Sequence, residues 1–466
     1  MSQLSRSTFL STMGLAFYWP FFPTGIFSRL FAHYPTGPSI HFTCYIALMV
    51  LIGVFAIVAV ALRARIEPAI RKQRTMVVCF GLLCSLGMLV IFNAPLLLAN
   101  PVPLAIAGVV FAAAGYSLLT FAWANELAGL PAEAMATSVA VAFLAGSLFG
   151  MIAYLPVLPS VLLFSASPLL STLCWRFTTL SPEGETDLSV ASLRRLPLGI
   201  IGLVVFFIIG GRSVVGMLLQ IDGQVPLYER LIVIAVTVVV FAQMRFGMKK
   251  SQESGRGFEK LWLPIAILFL VGLTIVTPFG TEWFHVGTGF LSAEVVCLEF
   301  YLYLLLMTYV RSERLSPTLV FGLYLACIKV VPILLQRLII PLISLALGLT
   351  AEQGIMSLSV LMNLIVVSGM LIYFTRRTTD DAVKLSNSEQ SARVLACEKM
   401  GAAFGLSSRE TEVALLISQG NSQKRVADEL CLSIGTVQSY SKAIYRKMGI
   451  HSKQELIDIV NDKMRC

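Results

Sequence analysis

Residues Leu406 to Gly420 read Leu-Ser-Ser-Arg-Glu-Thr-Glu-Val-Ala-Leu-Leu-Ile-Ser-Gln-Gly. Asn421 to Ser433 continue Asn-Ser-Gln-Lys-Arg-Val-Ala-Asp-Glu-Leu-Cys-Leu-Ser, and Ile434 to Ile450 end Ile-Gly-Thr-Val-Gln-Ser-Tyr-Ser-Lys-Ala-Ile-Tyr-Arg-Lys-Met-Gly-Ile. Three short helices follow from this stretch. Ser407 and Glu410 have capping-box spacing, in which the serine accepts the Glu410 N–H and the glutamate reaches back to the Ser407 N–H. The helix they open is expected to bury Val413, Leu416 and Ile417, and to stop at Gly420 in the left-handed conformation that other residues avoid. Ser422 is placed to cap a second helix with Val426, Ala427 and Leu430 inward. Cys431-Leu432-Ser433 is a tight turn, and Ser433 caps a third helix. Two short helices joined by a turn of this length form the unit that sets its second helix in the major groove of DNA.

The third helix is two-faced. Val437, Tyr440 or Ser441, Ile444 and Met448 recur at helical spacing and should face inward. Gln438, Ser439, Lys442 and Arg446 lie opposite, as donors for base edges and phosphate oxygens. With Lys424, Thr436 and Lys447 they are the candidate DNA-binding residues. An ordinary solvated helix would also carry a polar face, but caps, turn and basic face together are much harder to obtain by accident.

The segment resembles the LuxR-type helix-turn-helix family of bacterial transcription regulators over roughly its last 60 residues. The residues that carry the likeness are Leu406, Ser408-Arg409-Glu410, Glu412-Val413, Gly420, Val426-Ala427, Leu430, Leu432-Ser433, Thr436-Val437, Lys447 and Met448-Gly449. The resemblance implies a small soluble four-helix domain that binds double-stranded DNA as a homodimer, commonly through its fourth helix. Two departures stand out. Gln423-Lys424-Arg425-Val426-Ala427 replaces the usual Asn-Lys-Glu-Ile-Ala, and Gln438-Ser439-Tyr440 replaces Lys-x-His. The missing lysine removes one charged contact, so target sequence and salt dependence should differ from those of typical members.

The chain upstream is of another kind. Of 466 residues, 57% are hydrophobic and 13% charged, with a mean hydropathy of +0.82. A soluble chain carries about 25% charged residues, so most of this chain is expected to be a polytopic membrane helix bundle. The net charge of +9 is read as membrane orientation, since much of it sits in short loops. Nine cysteines are scattered without a Cys-x-x-Cys pair and only four histidines occur, which disfavours metal and disulfide readings. The first apolar run lacks a small-residue cleavage site and is expected to stay as a helix.

About twelve apolar segments approach the ~20 residues a span needs. They lie near 9–31, 40–62, 75–96, 103–123, 134–155, 158–175, 197–219, 231–248, 261–280, 287–310, 318–339 and 356–375. The stretch 318–348, broken by Pro332 and Pro341, reads as a kinked helix or as a helix with a re-entrant piece. Basic residues follow the even-numbered spans: Arg63, Arg65, Arg71, Lys72 and Arg74, later Arg176, Arg194 and Arg195, and finally Arg376 and Arg377. Arg230 is the clear exception. The bias places both termini in the cytoplasm of a bacterial cell, beside the chromosome. Six spans, a longer polar loop at 176–196 and six more resemble the layout of major facilitator transporters in topology only. The basic loop 63–74 lacks the glycine and aspartate of that family's Gly-x-x-x-Asp-Arg signature.

The expected domains are a transmembrane sensor-like domain (1–375), a linker and lead-in helix (376–404) and the helix-turn-helix domain (405–466). Within 391–404, Val394, Leu395 and Met400 have helical spacing, as a lead-in helix or a dimerising stalk. Ser452 and Glu455 repeat the capping-box spacing before a last helix. Ionisable residues at membrane depth are expensive and mark function by default. They are Arg212, Glu294, Glu299 and Lys329, with Arg337 nearer an end. Either glutamate is a candidate partner for Lys329, and Lys329 with Arg212 is a candidate site for an anionic or polar effector; a structural ion pair is the competing reading. There is no phosphate-binding loop, paired-carboxylate site or His-rich site, so neither an enzyme nor a cofactor is expected. The sequence reads as a membrane-embedded one-component regulator that touches lipid, an unknown small-molecule effector and promoter DNA. The alternative is a transporter carrying a regulatory DNA-binding domain.

Overall fold

Long apolar runs become helices because a backbone without water must satisfy its own N–H and C=O groups. In the computed structural model of the chain the described residues are 3–19, 37–97, 101–178, 186–221, 225–251, 257–276, 283–350, 353–354, 357, 360–362, 364–365, 368–369, 390 and 393–465. They form two units, Met1–Val366 and Val367–Cys466. Nearly all are helical, with no strand beyond one isolated bridge between Asp187 and Leu315.

The first unit runs α1 (Gln3–Tyr18), α2 (Gly37–Ala61), α3 (Arg63–Lys72), α4 (Arg74–Leu97), α5 (Val102–Ala128), α6 (Ala132–Phe149), α7 (Val157–Arg176), α8 (Leu198–Ile221), α9 (Leu227–Ser251), α10 (Gly257–Val276), α11 (Phe284–Ser312) and α12 (Pro317–Ala346). Apart from the short α3, these occupy the first eleven expected span positions. Eight of them are long and apolar enough to cross a membrane, counting described residues alone. The end of the first expected span and most of the twelfth, 356–375, lie outside the described residues.

Helices in lipid associate by close packing of small residues. Gly87 of α4 and Gly108 of α5 are pressed together, so that a Cβ on Gly108 would stand 2.7 Å from the Gly87 carbonyl oxygen. Six spans later the arrangement recurs. A Cβ on Gly287 of α11 would meet the Gly272 carbonyl of α10 at 3.0 Å. The two halves join through aromatic side chains: Trp19 packs on Phe143 at 4.0 Å and on Tyr303 at 4.8 Å, and Phe143 meets Phe300 edge-on at 5.3 Å.

The region 318–348 is neither re-entrant nor broken. α12 continues through both prolines by widening twice into π-helical turns, Ala326–Val330 and Leu335–Ile339. Proline has no N–H, and its ring crowds the carbonyl four residues back. A turn with i→i+5 bonding relieves both, and such insertions are frequent at functional sites. The first π-turn carries Lys329 and the second carries Gln336.

The described residues of the second unit from 393 onward form five helices: α13 (393–404), α14 (Ser408–Ser418), α15 (Gln423–Leu430), α16 (Ile434–Met448) and α17 (Lys453–Arg465). Its core joins Val413, Val426, Val437, Ile444, Leu456 and Val460, and the lead-in helix contributes Ala396, Cys397 and Met400 to the same cluster. Leu395, by contrast, is exposed. α13 therefore packs into this core as one of its layers, whatever else it does.

Candidate functional site

The helix-turn-helix is built from its caps. Ser407 Oγ accepts the Glu410 N–H, and Glu410 Oε2 accepts the Ser407 N–H at 2.6 Å, completing the box. Ser422 accepts from the Arg425 N–H and Ser433 from the Thr436 N–H. Gly420 adopts the expected left-handed backbone, with φ of 88°, and Gly449 at the end of α16 does the same, at 69°. Cys431 does so too, at φ 54°, closing α15 in a conformation that costs an L-residue with a Cβ. At α17 the capping box is modified. Ser452 Oγ accepts the Glu455 N–H, but Glu455 returns to the His451 N–H at 3.1 Å instead of that of Ser452. That bond and the Ser452 hydroxyl hold the Glu455 carboxylate below its ordinary range.

On α16, Val437, Ser441, Ile444 and Met448 are buried, while Tyr440 is half-buried. Gln438, Ser439, Lys442 and Arg446 are exposed on the other side, as is Lys424 on α15. Among the described residues Gln438, Lys442, Arg446 and Lys424 donate to no protein group, leaving their polar ends available. Ser439 bonds back to the Gly435 carbonyl at 3.0 Å, and Thr436 Oγ1 lies 2.8 Å from the capping Ser433 hydroxyl. Lys447 stands apart from the set. Its ammonium donates to Glu410 Oε2 at 2.6 Å and to the Gly405 carbonyl at 3.0 Å, tying α16 to the start of α14. The Lys447 bond first and the Ser407 N–H second hold the Glu410 carboxyl below its ordinary value. Two further pins carried no signature in the sequence. Lys453 donates to the Gly420 and Asn421 carbonyls, and Arg393 to that of Ser418, meeting the acceptors exposed where α14 ends.

The membrane unit holds a cavity between its halves, enclosing about 1010 Å³ of space that is partly open to solvent. Arg212, Glu299 and Lys329 line it; Glu294 does not. Glu299 pairs with Arg212, Nε to Oε1 at 2.6 Å with a second contact from Nη2, so one of the two glutamates expected as partners for Lys329 is engaged by a different cation. Gln336 donates to the Arg212 carbonyl at 2.9 Å, holding α8 against the second π-turn. Glu294, five residues from Glu299, turns toward Gly211 of α8, fully buried with no hydrogen-bond partner among the described residues.

Two clusters of polar contacts tie the membrane unit. On the cavity wall Tyr154 donates to the Val225 and Pro226 carbonyls, Arg230 to the Ser147 carbonyl, and Glu229 pairs with His285. Arg230, the exception to the charge bias, is thus a buried cavity residue and not a loop charge. In the second cluster, away from the residues that line the cavity, Glu67 of α3 is buried. It accepts from Ser316 Oγ, from the Thr318 N–H at 3.1 Å and from Thr186 at 2.9 Å, so a carboxylate sits on the N-terminus of α12. Arg63 donates to the Leu188 carbonyl and Asp187 pairs with Arg195, binding the interhalf loop into the same knot. Glu67 was legible only as part of a basic loop that lacks the family's aspartate.

With this geometry in hand the comparisons are specific. Residues 405–460 match GerE, bacterial regulatory proteins of the luxR family. Residues 405–460 are a LuxR-family DNA-binding domain. Over 53 residues this LuxR-family domain is 45% identical to the Fimbriae Z protein of Escherichia coli (strain K12) and 40% identical to the oxygen regulatory protein NreC of Staphylococcus aureus (strain JH9). Those residues are 11% of this chain and 25% and 24% of the two proteins, so the chain spans about a quarter of the length of the curated relatives it matches. The remainder is similar in fold to the partially occluded inward-open xylose transporter XylE from E. coli. The TM-score is 0.53 and the identity 11%, over 80% of this chain and 98% of that one. The chain therefore joins a helical fold similar to that of this transporter to a LuxR-family domain.

Proposed function

We propose that the protein is a one-component transcription regulator of the bacterial cell membrane, with both termini cytoplasmic. The central cavity receives a small effector, and the LuxR-family domain binds promoter DNA as a homodimer. One observation carries the reading: a single chain unites a transporter-like chamber with a DNA-binding helix whose outer donors, Gln438, Lys442 and Arg446, are exposed and uncommitted. Lys424 and Ser439 belong to the same DNA-facing surface. Thr436 acts through the cap, and Lys447 fixes the helix to its neighbour. No chemistry is asked of the chain, and lipid serves as its solvent.

The mechanism is a population shift. The two clusters of polar ties are breakable, so conformers that loosen one cluster or the other differ by a few such bonds. An effector preferring one conformer shifts the population by its differential affinity, and presentation of the two DNA-binding domains changes with it. A single helix with few basic contacts binds weakly at physiological salt, and pairing raises the effective concentration of the second half.

The output is tested with fragment 391–466 and the DNA upstream of its own gene. Sequence-specific binding that weakens with salt and is lost in Lys442→Ala supports the reading. A folded fragment that binds nothing even when artificially dimerised contradicts it. The cavity between the two halves of a transporter-like fold also favours a second reading, a working transporter that reports its own flux. Effector uptake into proteoliposomes supports that reading, and binding without translocation supports the sensor.

A further inference from the structure

The cavity wall is not electrically balanced. Arg212, Arg230 and Lys329 line it against two carboxylates, Glu229 and Glu299. Both carboxylates are engaged, Glu299 by Arg212 and Glu229 by His285 at 2.7 Å. Arg230 is the residue that points to a ligand. It is 9% exposed; Nη2 donates to the Ser147 carbonyl at 3.1 Å, and the buried Nε has no hydrogen-bond partner among the described residues. The Nη2 end of the guanidinium is pressed against Gly150, where any Cβ would collide with it. A glycine is therefore needed to seat this arginine at the cavity, and an unmet buried donor is costly unless something else meets it. Lys329, 2% exposed on the first π-turn of α12, brings a second basic side chain to the same chamber. The remaining wall is largely aliphatic, with Val215, Val233, Val295 and Ile333.

We propose that the cavity binds a small organic anion, with its charged head on Arg230, Lys329 supplying the second positive charge, and its body against the aliphatic wall. This rests on the reading of the cavity as the effector chamber and narrows it. Arg212, which the sequence offered with Lys329 as a candidate site for an anionic or polar effector, is paired with Glu299 and serves as scaffold. A planar anionic head suits a guanidinium better than an ammonium, which assigns the orienting role to Arg230.

The test needs no knowledge of the natural effector. Ser292→Cys places a thiol on the cavity wall of the full-length protein. Sulfonatoethyl and trimethylammonioethyl methanethiosulfonate, one anionic and one cationic, each convert a thiolate to a mixed disulfide and release methanesulfinate. Each rate is divided by that reagent's rate on free cysteine, after subtracting the labelling of the parent protein. The expected result is faster normalised labelling by the anionic reagent. Arg230→Gln and Lys329→Gln should each lower the anion-to-cation ratio by about tenfold, as loss of one nearby charge at protein-like dielectric implies. If Arg230→Gln does not fold, the parent ratio and Lys329→Gln still decide. Equal labelling, or faster labelling by the cation, overturns the anionic class while leaving the cavity as a reachable chamber. If neither reagent reaches the thiol in folded protein while both react after denaturation, the effector-chamber reading fails with it.

Discussion

Replacing Glu410 by alanine removes two interactions at one atom. Oε2 accepts the Ser407 N–H at 2.6 Å, completing the cap of α14, and the Lys447 ammonium at 2.6 Å, tying α14 to α16. Loss of a cap interaction costs about 1 kcal/mol. The Lys447 side chain is 34% exposed, so its bond is partly screened and contributes roughly 0.5–1 kcal/mol. The combined loss is therefore roughly 2 kcal/mol, which in a domain this small lowers the melting temperature by roughly 10 °C. Glu410→Gln keeps an acceptor for the Ser407 N–H and should lose about half as much. The pH dependence has a definite sign. The folded-state carboxyl lies below its ordinary value of 4.5, so its stabilisation is complete above that value and is lost as pH falls through the folded value. Thermal unfolding of fragment 391–466 by circular dichroism, repeated across the acid range, reads both effects. Glu410→Ala should be less stable at neutral pH and should converge with the parent in acid. Equal melting temperatures at pH 7, or a gap that widens in acid, would refute the reasoning.

Four further outcomes are expected. Lys442→Ala and Arg446→Ala should weaken DNA binding by about 1–3 kcal/mol where a base contact is lost; a phosphate contact instead lowers the salt slope by about 1 and weakens all sequences alike, which a salt titration separates. Val437→Asp buries an unpaired charge in the domain core and should abolish the helical circular dichroism of the fragment. Cys431→Gly relieves a left-handed backbone at φ 54°, and after the entropic cost of glycine should raise stability by up to about 1 kcal/mol in urea unfolding. Glu67→Ala strips the acceptor from Ser316 and the Thr318 N–H, and should lower the melting temperature of the detergent-solubilised full-length protein.

The helix-turn-helix was legible because its signals are local. Ser407, Ser422 and Ser433 cap through bonds within three residues, and Val437 and Ile444 share a face through helical period alone. The lead-in helix was half-legible: its periodicity was visible, but only packing shows that Cys397 and Met400 turn inward and Leu395 outward. The pairing of Lys447 was not legible, because a basic residue on such a helix looks the same from sequence whether or not it meets a carboxylate thirty-seven positions away. The spans were read from hydropathy, and the helix positions follow it. The cavity was not legible. Arg212 meets Glu299, and Glu67 meets Ser316, through separations of 87 and 249 residues, and nothing local specifies such pairs. Arg230 left one trace, its violation of the charge bias, and burial in the cavity is the physical reason.

Coupling between the cavity and DNA is the central claim, and it can be measured without the natural effector. Full-length Ser292→Cys protein in lipid nanodiscs would be labelled with the anionic thiol reagent, with and without saturating DNA from upstream of its own gene. Linkage is reciprocal, so DNA that selects one membrane conformer must alter the cavity. The predicted result is a change in labelling rate of about fivefold or more on DNA binding, absent with Lys442→Ala or with DNA of scrambled sequence. An unchanged rate in protein shown to have bound its DNA would contradict it, leaving a cavity and a DNA-binding domain that share a chain but not a function.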